Sequence, residues 1–304
     1  MRCGWPVSGN DSVPDLATVP ATIGAELDAA AARLGDAGVA EPRREANRLW
    51  AAIAGGRPGD AWLRRDGPAD TRTTARFREA VRDRADGVPF AYAAGTVTFR
   101  MLELAIDRRA LIPRPETEGL VDLVLQWCRE NGEWGVGRWG VAVDIGTGSG
   151  CIALSLAVEG SFERVIATEQ SAAAASLARE NVARVAPSVP VEVRFGDLLA
   201  PLGHAYHRVI VANPPYLTED EWTDLEPGVR DCEPKSALAS GADGLETTRR
   251  LLAGARAVLE PGGLLALEID ERRAEAVRLL AEAAGWRVSI HRDVFGRPRY
   301  ALAV

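Results

Sequence analysis

Residues 141–150 read VAVDIGTGSG, and the fold turns on them. The opening VAVD is a short apolar run closed by an acid, which suits a buried strand. Asp144, Gly146, Gly148 and Gly150 then form a D-x-G-x-G-x-G loop, and CIALSLAVEG (151–160) begins a helix. Glycines at such a strand-to-helix turn let the backbone bend tightly. They also let a ligand lie against the main chain beside a helix N-terminus. The spacing departs from the dinucleotide fingerprint G-x-G-x-x-G, because the third glycine comes one residue early.

Downstream the same alternation continues. RVIATE (164–169) reads as a strand and SAAAASLARENVARV (171–185) as a helix. VEVRFGD (191–197) and HRVIVANPP (207–215) read as strands. GLETTRRLLAGARAVLE (244–260) is a helix, GGLLALEI (262–269) a strand and ERRAEAVRLLAEAAG (271–285) a helix. Regular βα alternation predicts an α/β fold with a mostly parallel sheet and helices on both faces.

Upstream the pattern changes. Residues 1–20 are rich in Pro, Gly, Ser and Asp and read as a loose tail. Residues 21–88 carry three helical stretches, IGAELDAAAARLGDAG, EPRREANRLWAAIAG and TARFREAVRDRADG, and form a small helical domain. Residues 89–110 read as a hairpin linker, with Val97, Phe99 and Met101 on one face. Residues 111–304 make up the α/β domain. Its approach, LIPRPETE, has Pro115 to open a helix and Glu116 and Glu118 in the first turn.

Three acids follow in order at strand ends. Asp144 closes the first strand. Glu169, with Gln170 beside it, closes the second and can accept from both hydroxyls of a ribose. Asp197, followed by Leu198, closes the third, where a carboxylate can accept from an exocyclic adenine amine. Behind Gly146, Thr147, Gly148 and Gly150 this order predicts an adenosine without a pyrophosphate, S-adenosyl-L-methionine. Each acid taken singly could equally cap the helix that follows it.

The fourth strand ends in Asn213-Pro214-Pro215-Tyr216. Prolines are foreign to a central strand, so they serve the turn. The Asn213 side-chain oxygen and the Pro214 carbonyl are two acceptors for one NH2 group, and Tyr216 can lie against a flat substrate. An amide nitrogen has a delocalised lone pair, held by a rotation barrier of roughly 18–20 kcal/mol, so it must be held and aimed. Such positioning supplies roughly 7–11 kcal/mol.

An NPPY tetrapeptide behind this loop resembles methyltransferases of planar nitrogens. LIPRPETEGLV, DIGTGSGCIALSLA, CEPKSALASGADGLE and the final GRPR look like the PrmC/HemK family of glutamine-N5 methyltransferases over residues 88–300. The resemblance implies a class I, Rossmann-like, seven-stranded mostly parallel domain with a helical N-terminal domain. It assigns the cofactor to Asp144, Gly146, Thr147, Gly148, Gly150, Glu169, Gln170, Asp197, Leu198 and Asn213, with Pro115 and Thr117 near the methionine part. It gives Asn213, Pro214, Pro215 and Tyr216 to the substrate, with Asn213, Pro214 and Tyr216 as the catalytic group. The family's usual acceptor is the glutamine of the Gly-Gly-Gln loop in a peptide-chain release factor.

The chain departs from the family at four places. Phe99-Arg100-Met101 stands for the usual Phe-Tyr-Gly, and Glu268-Ile269-Asp270 for Glu-Ile-Gly, with Arg273 in place of a glutamine. Cys232 replaces the tyrosine of Tyr-Glu-Pro, and Glu169 the usual aspartate. These keep a second reading open: N-methylation of a free small molecule carrying an amine, amide or guanidine, such as arginine. A guanidinium would need roughly 7 kcal/mol to lose its proton at pH 7 and carboxylates to receive it. Glu116, Glu118 and Glu233 are candidates, with Glu116 and Glu233 also as substrate ligands.

A third reading, an adenine-N6 nucleic-acid enzyme, is disfavoured by a net charge of −7. Lys235 is the only lysine among the basic residues. The four cysteines form no C-x-x-C pair and read as free thiols. His204 and His207 suit a surface turn better than a metal, and no metal is expected. With neither a signal peptide nor a membrane-length apolar run, a cytoplasmic enzyme is expected.

Overall fold

The computed structural model describes residues 22–131 and 139–304. The tail expected over residues 1–20, and Cys3 with it, lies outside the described residues. The chain divides into two compact units, with the boundary between Asp86 and Gly87.

The first unit is helical: α1 (Ile23–Asp36), α2 (Pro42–Ala54), α3 (Pro58–Leu63) and α4 (Thr71–Ala85). The Thr22 hydroxyl caps α1 by accepting from the Ala25 N–H, and the Asp70 carboxylate caps α4 through Arg72 and Thr73. Leu27, Leu34, Leu49, Trp50 and Phe77 fill the core. Trp50 and Phe77 meet edge-to-face at 5.0 Å. Two buried acids are neutralised within the unit, Glu26 by Arg78 and Glu45 by Arg84. The six-residue α3 went unread in the sequence because one and a half turns show no periodicity.

The second unit begins with α5 (Phe90–Ala94) and an antiparallel hairpin, β1 (Thr96–Phe99) and β2 (Leu102–Ala105). The expected shared face of Val97, Phe99 and Met101 does not form. Phe99 is buried, but Arg100 and Met101 make the turn, with Arg100 at φ 53° and Met101 83% exposed. Then follow α6 (Pro115–Asn131), β3 (Val141–Ile145), α7 (Cys151–Glu159), β4 (Arg164–Glu169), α8 (Ala172–Val185), β5 (Val191–Phe195) and β6 (His207–Ala212). The short α9 (Glu219–Thr223) and α10 (Pro227–Arg230) precede α11 (Glu246–Gly254), β7 (Leu259–Glu268), α12 (Ala274–Ala283), β8 (Val288–Arg292) and β9 (Pro298–Ala303).

The seven-stranded sheet has the order β5-β4-β3-β6-β7-β9-β8, and only β9 runs against its neighbours. Its central strands are apolar on both faces, as a covered parallel sheet requires. Val209 and Val211 of β6 join the cluster that holds α6 and α7, while Ile210 and Ala212 join the one that holds α11 and α12. The strand order reverses between β3 and β6, and there an open α/β sheet has its crevice. Residues 258–260, read as helix, instead run into β7: a 3₁₀ turn ends at Ala257. His207 is not on a surface turn. It opens β6, fully buried, with its Nδ1 against the Val258 carbonyl at 2.9 Å. Cys128, Cys151 and Cys232 are free thiols.

Candidate active site

The sheet register places the site. Ile145 of β3 lies opposite Ala212 of β6, so the glycine loop and Asn213 leave adjacent strands at one level. They open into one cleft.

One wall is the glycine loop. The Gly146 and Thr147 N–H groups donate to the Thr168 carbonyl at 2.9 and 3.0 Å, which pins the loop to the neighbouring β4. Gly146, Gly148 and Gly150 all have positive φ. A Cβ on Gly146 would project into open space in the cleft. Asp144 lies beneath the loop, fully buried. Its Oδ2 accepts from the Thr147 hydroxyl at 2.5 Å and from the Ala153 N–H at 3.1 Å, and its Oδ1 has no partner. Burial pushes its pKa up to about 7 against those two hydrogen bonds. The Glu169 carboxylate accepts from the Gly148 N–H at 2.9 Å and the Ser171 N–H at 2.8 Å. It therefore faces the loop with lone pairs to spare. Asp197 is exposed and pairs with Arg250 of α11.

The opposite wall is the NPPY turn. The Tyr216 and Leu217 N–H groups both donate to the Leu238 carbonyl, which ties the turn to the segment before α11. The Asn213 Nδ2 donates to the Thr117 hydroxyl at 3.1 Å, and that hydroxyl donates to Glu268 Oε2 at 2.7 Å. Burial raises the Tyr216 phenol to about 12.

Thr117, Gly146, Thr147, Gly148, Glu169, Gln170, Asp197, Leu198, Asn213, Pro214 and Pro215 line the cleft together. Asp144 and Gly150 lie behind its surface: Gly150 caps α7. Pro115 is exposed at the start of α6, and Tyr216, Glu116 and Glu233 stand outside the lining. Glu116 faces Arg297 at 3.4 Å, Glu118 accepts from the Arg100 backbone N–H at 2.9 Å, and both Glu233 carboxylate oxygens meet Arg114, at 2.7 and 2.8 Å.

Several residues were missed by the sequence reading. Asn181 of α8 holds the glycine loop through the Ser149 carbonyl and the hairpin through both backbone groups of Ala105. The one signal was a polar residue on the apolar face of LARENVARV. Thr247 and Arg250 line the cleft without any motif to announce them, and so does Arg114, which was not singled out within LIPRPETEGLV. The departures Arg100 and Arg273 lie outside the lining. Arg100 clamps the hairpin to Glu159 and Asp122, and Arg273 ties Glu221 to the Asp243 carbonyl.

Comparison with known proteins decides the family. A PrmC N-terminal domain matches residues 27–95, and a methyltransferase small domain matches residues 133–225. The release factor glutamine methyltransferase of Cereibacter sphaeroides is 38% identical over 278 residues, covering 91% of this chain and 96% of the relative. That of Deinococcus radiodurans is 38% identical over 279 residues, with the same coverage. That of Moorella thermoacetica is 38% identical over 286 residues, 93% of this chain and 98% of the relative. The chain belongs to the release factor glutamine methyltransferase family. It is thus a methyltransferase whose cofactor is S-adenosylmethionine. The hMettl16 catalytic domain bound to a MAT2A 3'UTR hairpin shares the fold, with a TM-score of 0.51 at 19% identity over 77% of this chain and 80% of that one.

The residues present fit that cofactor. Gly146 leaves open space where any side chain would stand, and the unpartnered Asp144 Oδ1 and Ser149 Oγ lie under and along the loop. Among the described residues no cluster of His, Cys, Asp or Glu could hold a metal, and no helix is long and apolar enough to cross a membrane.

Proposed function

We propose that the protein methylates the side-chain nitrogen of a glutamine in a peptide-chain release factor. The observation that carries this reading is the side-by-side exit of Asn213 and the glycine loop from paired strands into one cleft. When bound, S-adenosylmethionine supplies a methyl group on a sulfonium, which the acceptor nitrogen takes as the carbon–sulfur bond breaks. Glu169 would hold its ribose, Asp197 its adenine amine, and Gly146, Thr147 and Gly148 its body. Asp144 sets the loop, and Gln170 and Leu198 complete the wall. Asn213 Oδ1 and the Pro214 carbonyl accept the two N–H protons of the acceptor amide. The prolines fix those acceptors, because each has its φ locked by the ring. One of the two protons leaves to water once the nitrogen carries the methyl. Tyr216 supports the turn from behind, and the helical unit recognises the body of the substrate protein.

The free-guanidine alternative loses its support at the site. Glu116 and Glu233 already pair with arginines of the chain, and Glu118, which accepts from the Arg100 backbone N–H, stands outside the lining. Arg100 and Arg273, which kept that alternative open, are structural clamps outside the lining. The test offers methyl-labelled S-adenosylmethionine with a release factor in one reaction and free amino acids in another. Label in the release factor, lost when its loop glutamine is replaced, is expected. Label in the amino-acid pool with the release factor untouched would overturn the proposal.

A further inference from the structure

Glu268 ends β7 at 1% exposure, and Thr117 in the first turn of α6 is 2% exposed. The two are 151 residues apart and touch through one hydrogen bond of 2.7 Å. A threonine hydroxyl has one proton. Thr117 gives that proton to the Glu268 carboxylate, so toward Asn213 it can only accept. The 3.1 Å contact from Asn213 Nδ2 is that acceptance. A planar amide that turns its NH2 toward Thr117 must turn its oxygen the other way. The charge on Glu268 is thereby converted, through one hydroxyl, into the direction in which Asn213 Oδ1 points.

We propose that Glu268 is a positioning residue for methyl transfer, acting through Thr117 to keep the Asn213 oxygen facing the acceptor amide. This rests on the reading of Asn213 as the acceptor of an N–H. The relay is reversible in principle. A protonated Glu268 donates to Thr117, whose own proton then turns to Asn213 and draws the amide oxygen toward it. The NH2 group then faces the substrate NH2, donor against donor, and the amide is no longer held.

The groups around Glu268 bring this reversal near neutral pH. Burial pushes its pKa up to about 7; Glu116 raises it further, while the Thr117 hydroxyl, Arg299 and Arg114 lower it. Tyr216, Tyr300 and Cys151 also feel its charge. A raised acid keeps its proton below that value, so the working polarity of the relay belongs to the alkaline side.

The experiment is a pH profile of kcat from pH 5.5 to 9 at saturating methyl-labelled S-adenosylmethionine with a release factor as acceptor. Saturation removes from the profile the pH dependence of cofactor binding, to which Asp144 under the glycine loop contributes. The wild-type protein should lose turnover as pH falls through about 7. Glu268→Gln should show no such limb, because nothing in the relay titrates. Thr117→Val should lose kcat by the order of 10²-fold, the cost of a misplaced group. Thr117→Ser should restore both kcat and the limb. An acid limb that survives in Glu268→Gln, no limb in the wild type, or wild-type kcat in Thr117→Val each overturn the proposal. Asn213→Ala, measured in parallel, separates the two readings. If it retains kcat, the assignment of Asn213 itself fails; if it alone is inactive, only the relay fails. Should Glu268→Gln not fold, as cofactor binding would show, the Thr117 pair still decides.

Discussion

Asp144 and Glu268 are the same kind of group in the same kind of place. Both are buried carboxylates at the C-terminal ends of parallel strands, one under each wall of the cleft, and burial raises both to about 7. They differ in what holds them. Asp144 is held, through one oxygen, by Thr147 and Ala153, within nine residues of itself, whereas Glu268 is held by a hydroxyl 151 residues away. A carboxylate held by its own loop shapes that loop and belongs to the motif. One held from a distant element couples two parts of the fold, and its effect appears on a third residue, here Asn213.

The largest effect should come from the local acid. The pKa of Asp144 rises from 3.8 unfolded to about 7 folded. Between those values the folded state binds more protons than the unfolded one, so this group loses the protein stability as pH rises through that window. At 1.36 kcal/mol per unit the loss reaches roughly 4 kcal/mol at most. Asp144→Asn keeps an oxygen for Thr147 and Ala153 but does not titrate. Its stability relative to wild type should therefore grow from pH 4 to pH 8 in urea unfolding, while cofactor affinity falls. A stability difference that does not change with pH would mean that Asp144 stays ionised, and the likeness to Glu268 would break.

What could be read from the residues follows the same division. Asp144, Glu169 and the glycine loop were legible because strand, turn and acid are contiguous. The central strands were legible because each is a run of apolar residues buried on both faces. The last two strands, β8 and β9, were not, since VSIHR and PRYALA are short and owe their pairing to the sheet edge. Asn181 was hidden because its partners, Ala105 and Ser149, lie in other elements. Glu268 stood out in the sequence only as part of Glu-Ile-Asp, and nothing there pointed to Thr117. Arg100 and Arg273 looked like marks of a different pocket, and only their ion pairs reveal them as clamps.

Two glycines sharpen the contrast at a smaller scale. Gly146 and Gly244 both have positive φ, so an added Cβ costs about 1–2 kcal/mol in either. Around Gly146 the space is open to the cleft, so Gly146→Ala should weaken cofactor binding about tenfold, near 1.4 kcal/mol, and leave the NPPY turn in place. At Gly244 the new atom would stand 2.3 Å from the Tyr216 carbonyl oxygen and must push that turn. Gly244→Ala should instead lower kcat with cofactor affinity retained. Calorimetric titration and steady-state rates on the same two preparations would distinguish them; an affinity loss in Gly244→Ala would show that the two walls move as one.

Asp197 should give the smallest effect on stability. The sequence ranks it with Asp144 and Glu169 as the third acid behind the loop, but it is exposed and paired with Arg250 on the surface. An exposed ion pair is worth about 0–1 kcal/mol. Asp197→Asn should thus unfold within about 1 kcal/mol of wild type. Its cost should fall on the ligand, as a loss of discrimination between S-adenosylmethionine and an analogue whose adenine lacks the exocyclic amine. If the variant unfolds as easily as one that removes a buried acid, Asp197 is built into the fold as Asp144 is. If it is stable and still discriminates, the adenine amine is read by another group on that wall, and Arg250 holds Asp197 for the sake of the surface alone.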